Sequence, residues 1–285
     1  MGLKIWQNGE LVDEAQAKVS VFDHGLLYGD GVFEGIRVYS GNIFEFEAHI
    51  DRLYESAKAI RLDIGMDKRP LMDATEETVK ANEIEDGYIR LLVTRGVGDL
   101  GLNPFVCGKA GVIIIAANIQ LYPEEFYETG LKVISANAVR THPLTLPPQV
   151  KSLNYLNNIL AKIEAIDHGV GEVVMYNPQG YVAEASGDNI FIIRKGELFT
   201  PPIQAGALDG ITRQVVMKLA RESGYTVTER NLTKFDLYIA DECFLTGTAA
   251  EVIGVVEIDG RIVGDGKPGA VTKELRKKFF EYARS

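Results

Sequence analysis

Short extended segments, each closed by a turn dipeptide and answered by the next segment, recur along this chain and restrict it to a fold built of hairpins with helices inserted singly. The first pair is residues 5–7 and 10–12 around Asn8-Gly9, a dipeptide that supplies the positive φ values of a two-residue hairpin turn. Residues 19–22 read as a further extended piece. Residues 43–46 return through Ser40-Gly41-Asn42 on the strand that ends at Tyr39. In the strand 88–95, Tyr88, Arg90 and Leu92 share one face, and the apolar run 111–117 predicts a strand buried on both faces. Later segments at 131–136, 173–176, 181–184, 190–193, 198–199, 225–230 and 242–245 and a hairpin at 258–262 continue the pattern. Helices fall at 48–60, where Ile50, Leu53, Ala57 and Ile60 form one stripe, at 71–81, and after Lys151, where Leu156, Ile159, Leu160 and Ile163 recur at helical spacing. Others follow at 212–223, 234–240 and 270–283. The expected fold is α+β: a smaller N-terminal α/β domain over 1–118, a linker over 119–128, a larger domain of mostly antiparallel strands over 129–285, and a site in the cleft between them.

With 285 residues the chain can bury a core in each domain, and no apolar run approaches a membrane span. Its start has no apolar signal core, so the expected location is the cytoplasm. Cys107 and Cys243 make no disulfide framework and no metal-binding spacing, so both are expected reduced and no metal is expected. A net charge of −10 excludes the basic face that nucleic acid requires, and an acidic chain that handles an anion must concentrate its arginines locally.

Several residues invite chemistry. Lys151 stands where a stretch with three prolines, Pro143, Pro147 and Pro148, gives way to a helix. It is either a surface charge or an amine held rigidly enough to attack a carbonyl. The glycines of 25–35 either make turns or let backbone approach a ligand. Arg52, off its helix's apolar stripe, is solvated, paired to Glu45 or Glu55, or a ligand for an anion. Residues 96–101 match G-x-G-x-x-G after a strand but run into Leu102-Asn103-Pro104, so a loop is expected rather than a dinucleotide site. The loop 205–211 opening a helix is an anion site or a plain cap, and 246–251 could turn a second set of amides toward a ligand.

Four separated stretches carry a resemblance: Tyr28-Gly-Asp-Gly-Val-Phe-Glu-Gly-Ile-Arg37, Lys151 with Asn154-Tyr155-Leu156, Glu184-Ala-Ser-Gly-Asp-Asn189, and Leu245-Thr-Gly-Thr-Ala-Ala-Glu251. In this order they resemble the class IV (fold type IV) pyridoxal-phosphate aminotransferases, and Phe33-Glu34-Gly35-Ile36-Arg37 resembles the branched-chain amino acid aminotransferases among them. The resemblance spans nearly the whole chain. It implies pyridoxal 5'-phosphate as cofactor, held covalently through the Lys151 amine, which then moves a proton at the substrate's Cα. It implies Glu184 at the pyridine nitrogen, Tyr155 at the ring's phenolic oxygen, and Leu208 against the ring face. Arg52, Gly210, the amides of Ile211 and Thr212, and Gly247 with Thr248 would surround the phosphate.

For substrate, the resemblance implies the amides of Thr248 and Ala249 at the α-carboxylate. Tyr28, Phe33, Gly35 and Tyr122 would line an apolar pocket, Tyr88 and Arg90 would receive carboxylates, and Arg37 would organise the pocket wall. The reaction implied exchanges an amino group between L-leucine, L-isoleucine or L-valine and 2-oxoglutarate, in a homodimer or higher homo-oligomer whose subunits share sites. A D-amino acid aminotransferase and an aminodeoxychorismate lyase are similar in fold. A cofactor-free binding protein is the reading from another class, against which Lys151 and Glu184 both stand. Ser152-Leu153 replaces the paired glycines that often precede Asn-Tyr, and Leu91 stands where proline is common, which bears on substrate breadth.

Overall fold

A computed structural model describes residues 2–119 and 122–285, so Gln120 and Leu121 of the expected linker lie outside the described residues. Contacts divide the chain into two compact units, Met1–Ile119 with Val150–Asn154, and Gln120–Gln149 with Tyr155–Ser285.

The first unit contains β1 (Lys4–Gln7), β2 (Glu10–Asp13), α1 (His24–Tyr28), β3 (Gly31–Tyr39), β4 (Asn42–Ile43), α2 (Phe46–Ala59), α3 (Lys68–Ala81), β5 (Gly87–Thr94) and β6 (Gly111–Ala117). Its strands form one antiparallel sheet in the order β2-β1-β6-β5-β3-β4. Alternation assigns the two faces. Val32, Ile36, Val38, Ile89, Leu91, Val93, Val112, Ile114 and Ala116 meet Ile50, Leu53, Ala57, Leu71, Ala74 and Val79 of α2 and α3 in a single core. Full burial of Ile50, Leu53 or Leu71 contributes roughly 1.5–3 kcal/mol each. The opposite face carries Phe33, Gly35, Arg37, Tyr88 and Arg90. β6 departs from expectation, because only Val112, Ile114 and Ala116 are buried and the alternate residues are half-exposed. Helices cover one side of this sheet, so an apolar run here marks a second face without a helix on it. Residues 19–22 are not a strand, since no neighbour pairs with them, and the expected strand 43–46 stops at Ile43 because α2 begins at Phe46.

The second unit contains α4 (Glu125–Thr129), β7 (Leu131–Ser135), α5 (Leu156–Asp167), β8 (Glu172–Tyr176), β9 (Val182–Ala185), β10 (Asn189–Arg194), β11 (Glu197–Thr200), α6 (Ile211–Glu222), β12 (Val227–Glu229), α7 (Lys234–Tyr238), β13 (Glu242–Gly247), β14 (Glu251–Ile258), β15 (Arg261–Ile262) and α8 (Ala270–Ala283). The sheet runs β12-β11-β10-β13-β14-β7-β8-β9, with β15 beside β14. Its pairs are antiparallel apart from β11–β12, β14–β7 and β7–β8. α5 inverts the expected amphipathic logic. Asn158, Ala161 and Ala165 face inward, the two alanines against Val173 and Met175 of β8, while Leu156, Ile159, Leu160, Ile163 and Ile166 are 45–67% exposed. Small residues let the helix lie close on the strand, and that leaves the large apolar stripe on the outside.

Candidate active site

Lys151 belongs by its contacts to the first unit, where residues 150–154 form a strap against β3. Its peptide is held at both ends. The N–H donates to Ser56 Oγ on α2 at 3.2 Å, and the carbonyl accepts the Phe33 N–H at 2.9 Å. Ser152 bridges Val32, the Leu153 N–H donates to the Gly31 carbonyl at 3.0 Å, and Asn154 Nδ2 donates to the Gly29 carbonyl at 2.7 Å. Backbone bonds at successive residues remove the freedom that a surface loop would keep, so the rigidity comes from β3 as much as from the prolines. The Lys151 ammonium lies 4.7 Å from the centre of the Phe33 ring.

The same sheet face gathers five of the predicted residues. Register pairs Gly35 with Arg90 and Arg37 with Tyr88. The Arg90 guanidinium stacks 4.8 Å from the Phe33 ring centre and 5.3 Å from that of Tyr88. A Cβ at Gly35 would collide with the Tyr88 hydroxyl, so the approach of this phenol requires glycine. Tyr28 closes α1 and donates to the Leu100 carbonyl at 2.6 Å, and the loop after β5 carries no helix within residues 96–101.

On the helix side of β3, Glu34 is fully buried, and a carboxylate there must be paired. Arg52 supplies a fork from α2, with Nε to Oε1 and a terminal nitrogen to Oε2, each at 2.7 Å. His49 Nδ1 lies 2.8 Å from Oε2. Burial alone would raise the Glu34 pKa, but the Arg52 charge and the hydrogen bonds from His49 and Arg52 outweigh it and hold the group at about 2. Burial drives His49 below its usual range, partly opposed by Glu34 and assisted by the charges of Arg52 and Lys151. Arg52 is therefore buried rather than solvated, and its fork goes to Glu34 of β3, where proximity in sequence had pointed to Glu45 or Glu55.

In the second unit, Glu184 on β9 is the centre. Arg140 forms an ion pair with Oε1 at 2.6 Å, the Leu208 N–H donates to Oε2 at 2.9 Å, and Asn189 Nδ2 lies 3.3 Å from the same oxygen. Arg140 is itself oriented by the Gly206 carbonyl and by Asn158 Oδ1, and Asn158 donates onward to the Ser186 carbonyl. Asn189 also donates to the Leu208 carbonyl at 2.9 Å and pairs across the sheet with Thr246. Gly210 precedes α6, and a Cβ there would run into Asn189 Oδ1. No side chain caps the first turn of α6, which Ile211 and Thr212 open. Gly247 ends β13, with Thr248 and Ala249 in the turn to β14. Tyr155 occupies the N-cap position of α5. Tyr122 is buried in the core of this unit, and burial followed by the charges of Asp188 and Glu172 pushes its phenol up. Among the described residues no His, Cys, Asp and Glu cluster could hold a metal ion.

Sequence reasoning passed over Glu34, His49, Ser56, Arg140 and Asn158. For Glu34 the signal was present: alternate positions on β3 put it opposite Phe33 and Gly35, on the apolar side. For Asn158 it was a polar residue at the spacing of Ala161 and Ala165.

The model of the family described as amino-transferase class IV matches residues 31–258. A Methanocaldococcus jannaschii protein, named provisionally as a branched-chain-amino-acid aminotransferase, is 53% identical over 277 residues, covering 97% of this chain and 95% of its own length. The solved Escherichia coli branched-chain amino acid aminotransferase superimposes with a TM-score of 0.96 at 39% identity, over 99% of this chain and 95% of that one. The branched-chain amino acid aminotransferase of Thermobaculum terrenum, solved in its PLP form, gives a TM-score of 0.90 at 34% identity, over 100% of this chain and 95% of that one. Both sheets, the strap that seats Lys151 and the match along residues 31–258 lead to one conclusion: this chain belongs to the class IV aminotransferases and has their α+β, fold type IV architecture.

Proposed function

We propose that this aminotransferase exchanges the amino group between L-leucine, L-isoleucine or L-valine and 2-oxoglutarate, with pyridoxal 5'-phosphate as cofactor. The observation that carries the substrate reading is the wall beside Lys151, where the Phe33 ring and the Arg90 guanidinium lie in stacking contact. One surface thus offers apolar area to a branched side chain and a cation to a second carboxylate.

The residues present fit the cofactor. Lys151 offers an amine on a fixed peptide, Arg52 a buried cation, α6 a first turn without a side-chain cap, and Glu184 a carboxylate paired with Arg140. When bound, pyridoxal phosphate supplies the electron sink for charge at the substrate's Cα. In this reading Lys151 carries the proton to and from that carbon, and Glu184 holds the proton on the ring nitrogen, since the opposite charge favours it. Tyr155 would bond the ring oxygen and Leu208 would pack on the ring. Arg52, Gly210, Ile211, Thr212, Gly247 and Thr248 serve the phosphate. Tyr28, Phe33, Gly35, Arg37, Tyr88, Arg90, Tyr122, Thr248 and Ala249 serve the substrate.

An amino-donor panel read out as glutamate formed from 2-oxoglutarate tests the assignment. L-leucine, L-isoleucine and L-valine are expected to exceed D-alanine by at least about a hundredfold in kcat/KM. Preference for D-alanine would reassign the chain within its family.

We also infer a homo-oligomer in the cytoplasm. In the second unit the outward stripe of α5 exposes five large apolar side chains, and in the first unit Val97, Leu100, Leu102, Phe105 and Val106 are exposed, each group in keeping with a subunit contact. Both cysteines are free thiols, in keeping with a reducing compartment. Ile159→Asp with Ile163→Asp is expected to shift the mass by light scattering toward the single chain. An unchanged mass would remove α5 from the interface.

A further inference from the structure

The Phe33–Arg37 motif contains one charged residue to which neither cofactor nor substrate has been assigned. Glu34 sits between Phe33 and Gly35 yet points the other way, into the core among Val32, Ile36 and Leu53, and it is completely buried. A charged group in such a place costs stability unless it is paired and hydrogen-bonded. Its partner is Arg52, gripped by both carboxylate oxygens in a planar two-bond fork. The helix that delivers Arg52 also delivers His49, one turn before, to the same carboxylate, and Ser56, one turn after, to the Lys151 N–H. One face of α2 thus connects Glu34, Arg52 and the lysine's backbone.

We propose that Glu34 is a positioning residue that acts through Arg52: it fixes the guanidinium for the cofactor phosphate and cancels its charge beside the Lys151 amine. The proposal rests on the assignment of Lys151 and Arg52 above. Two consequences separate geometry from charge. Without the fork, Arg52 swings among rotamers and holds a phosphate less well. Without the carboxylate charge, a lone cation stays near the amine and disfavours its protonated form. Within this unit Glu34, Arg52 and Lys151 all act electrostatically on His49, and the Lys151 amine and the Arg90 guanidinium both lie on the Phe33 ring.

The test measures two quantities on Lys151-dependent holoenzyme: the Kd of the apo-protein for pyridoxal phosphate, and the pH midpoint of the bound cofactor's visible absorbance. Glu34→Gln is expected to raise the Kd about tenfold or more and to move the midpoint down by about one pH unit. Glu34→Asp keeps the charge and shortens the reach, so it is expected to weaken binding and leave the midpoint in place. Glu34→Gln combined with Arg52→Gln removes both charges. It is expected to bring the midpoint back toward the wild-type value with binding still weak, and to bind no worse than Arg52→Gln alone. A merely structural role would not produce that return. Wild-type affinity and midpoint in Glu34→Gln, or losses that simply add in the double variant, would overturn the proposal. Should Glu34→Gln not fold, unchanged affinity in Glu34→Asp overturns it equally. A wild-type protein that shows no cofactor absorbance removed by Lys151→Ala overturns the functional reading and this inference together, whereas a normal wild type with an indifferent Glu34→Gln overturns the inference alone.

Discussion

Lys151→Ala is expected to lower kcat for L-leucine and 2-oxoglutarate by about 10⁴-fold or more, with the fold intact. In the proposed reading the amine both holds the cofactor covalently and transfers the Cα proton, and alanine can do neither. The backbone of residue 151 contributes the bonds to Ser56 and Phe33, and alanine retains its N–H and carbonyl, so the strap survives the change. Circular dichroism and a thermal melt close to wild type, together with loss of turnover in single-turnover assays, complete the expected result. Retention of more than a tenth of the wild-type rate would mean that the proton passes through another group.

Glu184→Gln is expected to reduce kcat by about 10²–10³-fold and to lower stability as well, for separable reasons. The rate falls because a neutral amide no longer favours a proton on the ring nitrogen. Stability falls because Arg140, 7% exposed in its side chain, loses its charged partner, and breaking a buried pair by removing one member costs about 3–5 kcal/mol. Adding Arg140→Gln should recover part of the stability and none of the rate. Denaturant unfolding read alongside kcat distinguishes these effects. A double variant that regains both would show that Glu184 serves the fold and not the chemistry.

Local patterns placed most elements within a few residues, because turn dipeptides and periodicity are properties of adjacent residues. The α2 helix is a case in point: its stripe Ile50, Leu53 and Ala57 does face the core. Partners remote in sequence were another matter. Arg52 had acidic neighbours in Glu45 and Glu55, yet it binds Glu34, a choice fixed only when β3 lays one face on α2. The Leu156–Ile163 stripe announced a helix correctly but not which side it would bury, since the residues that seat α5 on β8 are alanines that periodicity scores weakly. Arg140 lies outside the four motifs, and its importance emerges only once Glu184, Gly206 and Asn158 converge on it. Motif order supplied the family. Long-range register supplied the contacts that hold Lys151, Arg52 and Glu184.

The strap also has a meaning in time. Asn154 reaches Gly29 across 125 positions, and Lys151 reaches Ser56 across 95. On a ribosome the six-stranded sheet can be complete well before residue 154 has been made, and at that stage its edge beside β3 waits for a segment encoded beyond the start of the next unit. The lysine's seat is therefore closed only after residues 150–154 have been made, later than every strand of the sheet it is fastened to.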